Sequence, residues 1–228
     1  MSNIYDKILQ RMIEYRSSLD LTQEQVGAIL GKTQSQFSKI ELGKTIISYD
    51  DLCLLLKADW DIDYLVTAKP QITWKKSIEE CFHVDKQHWN ELKEVLIWAL
   101  GQVIPDSRGS ENKDIVCEYA LLKRMVSQQR SDSLLLELRN ISGIAQTAMA
   151  EQLGVNIKKY RDLERRVTNP DAELLALIYE MTSCRPSLFF YQDEMEEHIL
   201  NDLWNQISEE RQKKIILFME YAARMRGI

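Results

Sequence analysis

Residues that interrupt helices are scarce in this chain. Among 228 residues there are only 8 glycines and 4 prolines, and these are the residues that mark the turns between β-strands. Leu, Glu, Lys, Gln and Ala are plentiful and favour helix. With 45% apolar residues, the chain is also able to bury real cores. We therefore predict an all-α globular protein without strands.

The sequence also lacks an apolar run long enough to cross a membrane, which takes about 20 residues. The longest apolar patches, 95–100 and 215–219, are much shorter. The N-terminus has no basic segment followed by an apolar run, as a signal peptide would. A formal charge of −6 argues against broad, nonspecific coating of nucleic acid. These absences predict a cytoplasmic protein without a membrane partner.

Motifs for metal binding and catalysis are missing as well. The four cysteines are far apart without a CxxC pair, which predicts reduced thiols. Cys81, His83 and His88 lie within eight residues, but no second ligand pair with zinc-site spacing accompanies them. No HExxH, GxSxG, phosphate-loop or GxGxxG pattern is present. We predict no metal, no cofactor and no enzymatic activity.

Two short helices around a tight turn are predicted within residues 21–44. Val26 and Leu30 belong to an apolar stripe at helical spacing. Gly31 follows where a chain leaving a helix usually turns left-handed, and Phe37 and Ile40 form the apolar side of a second helix. The residues able to cap these two helices are Thr22 and Thr33.

This segment resembles the helix-turn-helix of the phage-repressor (Cro, xenobiotic-response-element) family, over about Arg16 to Leu65. The family's pattern is present as Arg16, Leu21, Thr22, Gln23, Gly31, Ile40, Glu41, Gly43 and Lys44. Gly27 departs from it, because the family usually has Ala there; both residues are small enough for close helix crossing. The resemblance implies a λ-repressor-like DNA-binding domain.

The resemblance also implies which side chains contact DNA. The second helix of the motif would enter the major groove, where amides pair with adenine and lysine with guanine. Gln34, Ser35 and Lys39 would face bases, and the implied DNA-binding residues together are Gln23, Thr33, Gln34, Ser35, Gln36, Ser38, Lys39 and Lys44. Gln23, Thr33 and Lys44 are the implied phosphate contacts among them. Arg16 and Glu41 would form a structural ion pair between helices.

A second, divergent copy of the pattern follows 123 residues later, without a gap. Residues 21–41 align with 144–164, so that Gly31 meets Gly154, and Arg139 and Glu164 fall on the ion pair of the first copy. The alignment continues, because 84–100 corresponds to 207–223. We predict two tandem λ-repressor-like helix-turn-helix domains, each followed by a long closing helix.

Domain boundaries follow from this alignment and from a polar stretch, PDSRGSENKD. We predict a first DNA-binding domain at 1–70, closing helices at 71–104, a linker at 105–114, a second, divergent domain at 115–191 and C-terminal closing helices at 192–228. A flexible coil of this length spans about 17 Å r.m.s. and at most about 35 Å. This permits domains on half-sites one DNA turn apart, or halves packed face to face.

The second copy has a different exposed face. Between 156 and 166 five basic residues stand against two acidic ones, a net +3, which suits phosphate contact more than base discrimination. A solvated charged face is the alternative. The candidate DNA-binding residues of this copy are Gln146, Asn156, Ile157, Lys158, Lys159, Arg161, Arg165 and Arg166.

These observations predict a sequence-specific DNA-binding transcription regulator, a repressor that acts by occupying its site on double-stranded DNA of the nucleoid. One chain would act as an intrachain pseudo-dimer, or two chains would form a homodimer through the closing helices. The alternative is a protein-interaction module, such as an antitoxin-like regulatory partner, whose second copy binds protein. The sequence predicts neither an inducer nor an operator.

Overall fold

The computed structural model of the protein describes residues 3–82, 86–104, 113–126, 133–191 and 194–226. Within these ranges every regular element is a helix, which confirms the all-α prediction. The helices form two compact units, and each unit combines segments from both halves of the chain. One comprises Met1–Gln71 and Ser133–Phe190, and the other comprises Ile72–Asp132 and Tyr191–Ile228.

The first unit is built from short helices around an apolar core. Its described helices are α1 (Asn3–Ser18), α2 (Gln23–Ile29), α3 (Gln34–Glu41), α4 (Tyr49–Lys57), α5 (Ile62–Thr67), α9 (Leu134–Ser142), α10 (Gln146–Gln152), α11 (Ile157–Glu164), α12 (Ala172–Thr182) and the 3₁₀ helix η1 (Pro186–Phe189). Tyr5, Phe37, Trp60 and Tyr160 are among its largest fully buried side chains. Helix α1 packs against α3, α5 and α12.

Caps stabilise the short helices α2 and α3. Helices α2 and α3 contain 7 and 8 residues, too few to be stable alone in water. Thr22 accepts a hydrogen bond from the Gln25 backbone, and the Gln25 side chain accepts one from Thr22 N. Thr33 and Gln36 form the same capping box at α3. Each box therefore satisfies backbone donors that the first helical turn leaves open.

Buried polar contacts join the two chain segments of the first unit. The Asp63 carboxylate of α5 accepts hydrogen bonds from the Ser187 backbone N–H and hydroxyl, both at 2.8 Å. Tyr49 donates to the Phe189 carbonyl at 2.7 Å and stacks on the Phe190 ring, with the centroids 4.7 Å apart. Because Asp63 and Ser187 are both fully buried, these bonds fix the register between α5 and η1.

The second unit contains the two longest described helices, of 18 residues each. Its described helices are α6 (Ile78–Cys81), α7 (Lys86–Val103), α8 (Lys113–Val126), α13 (Met195–Gln206) and α14 (Glu209–Arg226). Arg211 donates to the Val103 carbonyl at 3.1 Å, and the Trp98 and Phe218 rings lie 5.6 Å apart. The start of α14 therefore lies at the end of α7, and the two helices run antiparallel. A hydrogen bond joins α6 to α13, because Ile78 N–H of α6 donates to Asn201 Oδ1 of α13 at 2.7 Å.

The 123-residue displacement is visible in the helices themselves. Helices α10, α11 and α14 begin and end 123 residues after α2, α3 and α7, respectively. The pairs α5 with η1 and α7 with α14 occupy corresponding positions along the chain, and the members of each pair pack against each other. Of the predicted linker, 105–112 lie outside the described residues, and Lys113 and Asp114 begin α8.

The structure can be compared with the predictions on membrane spans, cysteines and metal ligands. No helix in the described part of the chain is long and apolar enough to cross a bilayer. All four cysteines are described, and none forms a disulfide. His83 and the side chain of His88 lie outside the described residues, among which no cluster of three His, Cys, Asp or Glu side chains could hold a metal ion.

Candidate nucleic-acid interface

The turn between α2 and α3 brings the two helices into very close contact. Gly31 has φ +63°, a conformation that a residue with a Cβ rarely adopts. A Cβ built on Gly27 would lie 2.9 Å from the Lys32 carbonyl oxygen and 3.3 Å from that of Thr33. Both atoms belong to the backbone of the turn, so Gly27 has no room for the alanine that the resemblance makes usual.

A chain of hydrogen bonds runs from α1 to the exposed start of α3. Arg16 Nε donates to Glu41 Oε1 at 2.7 Å, and Gln23 Nε2 donates to Glu41 Oε2 at 2.5 Å. Gln34 Nε2 in turn donates to Gln23 Oε1 at 2.8 Å. The Glu41 side chain is only 6% exposed, whereas Gln34 is exposed. A largely buried ion pair thus orients an amide at the surface.

The remaining predicted contacts of the first copy differ in their freedom to reach DNA. Ser35, Lys39 and Lys44 are exposed. Thr33 and Gln36 are exposed too, but their side chains form the cap of α3; Ser38 is half-buried. The exposed polar face of α3 therefore centres on Gln34, Ser35 and Lys39, and Lys44 follows the helix end.

The end of α3 turns sharply at Gly43, which has φ +71°. Its backbone N–H donates to Ile40 O, and Lys44 N–H donates to Lys39 O, both at 2.8 Å. These bonds satisfy carbonyls at the end of the helix. They also hold the Lys44 backbone against the last turn of α3. The exposed Lys44 therefore follows directly after the exposed polar face of α3.

Helices α10 and α11 repeat part of this arrangement. Arg139 Nε donates to Glu164 Oε1 at 2.6 Å, Gln146 donates to the other oxygen of Glu164, and Gly154 has φ +65°. The hydrogen bond to Glu164 raises the pKa of Arg139 above its ordinary value. Ile157 stands where the first copy has Gln34, and its side chain cannot extend the hydrogen-bond chain to the surface.

The outer face of α11 is strongly basic. Its exposed cations are Lys158, Lys159 and Arg161, and the exposed Arg165 and Arg166 follow the end of the helix. Asn156 is the cap of the helix and accepts a hydrogen bond from Lys159 N–H at 2.8 Å. Arg166 has φ +59° at the position that Gly43 occupies in the first copy, and the following Val167 is 69% exposed. The exit of α11 thus combines charge, a left-handed arginine and an exposed apolar residue.

Comparison with known families identifies the arrangement of α2 and α3. Residues 12–58 match the family model described as helix-turn-helix. The matched range contains α2, α3 and α4 in full, together with the chain of hydrogen bonds from Arg16 to Gln34. Helix-turn-helix domains are DNA-binding regulatory domains, and this part of the chain therefore supports a DNA-binding transcription regulator. No curated protein and no solved structure matches.

The second copy and its site residues stay a prediction, because residues 144–164 lie outside the matched range. Two contacts within the first copy are not predicted from the sequence. Gln23, an implied phosphate contact, accepts a hydrogen bond from Gln34, and Lys32 and Asp51 form an ion pair beside the turn. Glutamines in the first turns of two crossing helices are the signal that could have revealed the first.

Proposed function

We propose that the protein is a sequence-specific DNA-binding transcription regulator, and that it represses by occupying its site. The observation that carries the proposal is the fixed amide of Gln34. One of its N–H bonds donates to Gln23 Oε1 at 2.8 Å, and an amide has a second N–H and a carbonyl oxygen besides. An amide with one donor and one acceptor pairs with N7 and N6 of adenine. Ser35 and Lys39 supply the neighbouring contacts.

Helices α10 and α11 are, in this proposal, a second helix-turn-helix with a different task. Its support is the ion pair of Arg139 with Glu164 and the bond from Gln146, which match the first copy. Because Ile157 replaces the oriented glutamine and the outer face is basic, α11 contacts phosphates rather than bases. Helix α3 then supplies sequence preference and α11 supplies affinity on the same nucleoid DNA.

The packing within the first unit favours an intrachain pseudo-dimer. Corresponding elements, α5 and η1, pack against each other through Asp63 and Ser187. Contact between equivalent elements is what a twofold axis produces in a dimer of identical subunits. A single chain would thus present α3 and α11 to two unequal parts of one operator.

A protein partner for the second copy is the competing function. It is favoured by Val167, which is 69% exposed directly after α11 and stands where the first copy has Lys44, since an apolar side chain cannot replace the phosphate contact of a lysine. In that case α3 alone would bind DNA, and α11 would bind an acidic, partly apolar surface of a protein partner, as in an antitoxin-like regulatory partner.

Selection of bound fragments from random DNA, followed by titration of alanine variants, tests the proposal. Lys39→Ala is expected to weaken binding about tenfold and to relax sequence preference, because lysine contacts base edges. Lys158→Ala is expected to weaken binding on all sequences alike and to lower the salt slope by about one unit. Lys7→Ala, on α1 outside the matched residues, is the control.

Two results would contradict the proposal in different ways. If no sequence is enriched, or if Lys39→Ala binds as the unaltered chain does, α3 does not recognise DNA. If only Lys158→Ala is without effect, α11 is not a DNA contact and the protein-partner function of the second copy gains support.

A further inference from the structure

The outward face of α14 is a regular surface that faces away from its own unit. Ile215 and Met219 are buried, whereas Leu217, on the opposite side of the helix, is 66% exposed. Residues at three, four and seven positions from Leu217 lie on the same face. All of them are exposed, and they are Glu210, Lys213, Lys214, Glu220, Tyr221 and Arg224.

The charges along this face are complementary to those of a second, antiparallel copy of the same face. Glu210 lies seven residues before Leu217, and Arg224 lies seven residues after it. Lys213 lies four residues before Leu217, and Glu220 lies three after it. When two copies of α14 run antiparallel about a twofold axis at Leu217, Glu220 therefore lies opposite Lys213 and Lys214, and Glu210, which also accepts a hydrogen bond from Lys214 of its own helix at 2.6 Å, lies opposite Arg224. Both arrangements occur twice. A parallel alignment would instead place like charges together.

The apolar area beside this face is large enough for a weak dimer. Phe218 is 38% exposed, Tyr221 63% and Met225 71%. Trp98 of α7 extends the patch, because it is 57% exposed and its ring contacts that of Phe218. With Leu217 these side chains expose about 600 Å² per copy, so a symmetric contact that buried all of it would cover at most about 1,200 Å², the lower end of specific interfaces.

We propose that this face, comprising Leu217 and its exposed neighbours on α14 together with Trp98, is a dimerisation surface whose partner is a second copy of the chain. The contact is isologous, with α14 antiparallel to α14 of the second copy. Leu217 packs on its own counterpart, and Lys213 pairs with Glu220 across the axis. Because the apolar area is at the lower end of specific interfaces, we expect a weak dimer with a dissociation constant in about the micromolar range. The association needs no DNA and is independent of the proposed DNA contacts.

Charge reversal in the full chain, followed by sedimentation velocity without DNA, tests the pairing. Lys213→Glu and Glu220→Lys each replace two attractions by two repulsions, so each is expected to raise the dissociation constant about tenfold. The double variant restores both attractions and is expected to dimerise as the unaltered chain does. A second double variant, Lys213→Glu with Glu180→Lys on α12, restores net charge without restoring the pair and is expected to stay weak.

The apolar centre is tested by Leu217→Asp, which places two carboxylates at the axis and is expected to weaken the dimer about 100-fold or more. Leu42→Asp removes a leucine of similar exposure, 63%, and is expected to leave the dimer intact. Circular dichroism checks that each variant keeps its helix content. The proposal is overturned if the unaltered chain is monomeric at about 100 μM, if Leu217→Asp dimerises normally, or if both double variants behave alike.

Discussion

Gly27 shows how a single hydrogen atom in place of a methyl group determines a helix crossing. Glycine within a helix costs about 1 kcal/mol relative to alanine, and the resemblance makes alanine usual at this position. The second copy does have alanine there, Ala150, which is 3% exposed. In the first copy the carbonyl oxygens of Lys32 and Thr33 occupy the space that a Cβ needs. The glycine therefore leaves room for the backbone of the turn.

We expect Gly27→Ala to lower the free energy of unfolding by about 1 kcal/mol, because overpacking against the turn outweighs the gain in helix propensity. Urea denaturation followed by circular dichroism measures this change. The matched control is Ala150→Gly, which is expected to destabilise for the opposite reason, through lost propensity and a small cavity. A stabilised Gly27→Ala variant would show that the turn shifts freely and that the close contact imposes no penalty.

Residue patterns predict some backbone conformations and miss others. Gly31 and Gly154 are correctly placed in left-handed turns, because glycine after an apolar stripe is a strong signal for a helix end. Arg166 adopts the same conformation, with φ +59°, but nothing about an arginine indicates it. Only the alignment with Gly43 could have suggested it, since the two residues hold the same position after their helices.

For the helices, the sequence predicts where they lie and which of them recur 123 residues later. It predicts less well which helices contact each other. The bounds of α2, α3 and α7 recur in α10, α11 and α14 because apolar spacing and cap residues are local signals. The contact of α5 with η1 depends instead on Asp63 and Ser187, which are 124 residues apart. A polar pair of this kind resembles two ordinary surface residues in the sequence, and only folding shows that both are buried.

The α5–η1 contact predicts a specific pH dependence. Burial, opposed by the bonds from Ser187 and the charge of Arg185, raises the pKa of Asp63 from 3.8 to about 6. The neutral carboxyl is thus favoured in the folded state. Its contribution to stability is fully present below about pH 4 and is lost as the pH rises through about 6, a change on the order of 3 kcal/mol.

Thermal or urea unfolding of the chain and of Asp63→Asn between pH 4 and 7 measures this contribution, because asparagine stays neutral throughout. We expect the difference in unfolding free energy, unaltered chain minus variant, to fall as the pH rises. Other carboxylates titrate equally in both proteins and cancel in the difference. A difference that stays constant or rises would mean that Asp63 is ionised in the folded protein at pH 4.

At the scale of the whole molecule, the two units are assembled from alternating segments of the chain. The first contains both helix-turn-helix-like segments, and the second contains both long closing helices. The 123-residue alignment predicts which segments of the two halves are equivalent, but it contains no information on whether equivalent segments pack within a half or across halves. That choice is made by contacts such as Asp63 with Ser187 and Ile78 with Asn201, each of which joins segments more than 120 residues apart in sequence.

If these units are also cooperative units of unfolding, loss of one buried bond should weaken one unit throughout and leave the other unchanged. Ser187→Ala removes the hydroxyl donor to Asp63 and is expected to cost about 1–3 kcal/mol. Hydrogen exchange should then be about tenfold or more faster in α1, α5 and α12 and unchanged in α7 and α14. Asn201→Ala, which removes the acceptor for Ile78 N–H, should give the reverse pattern. If either variant accelerates hydrogen exchange equally in all helices, the two units unfold together as one cooperative unit.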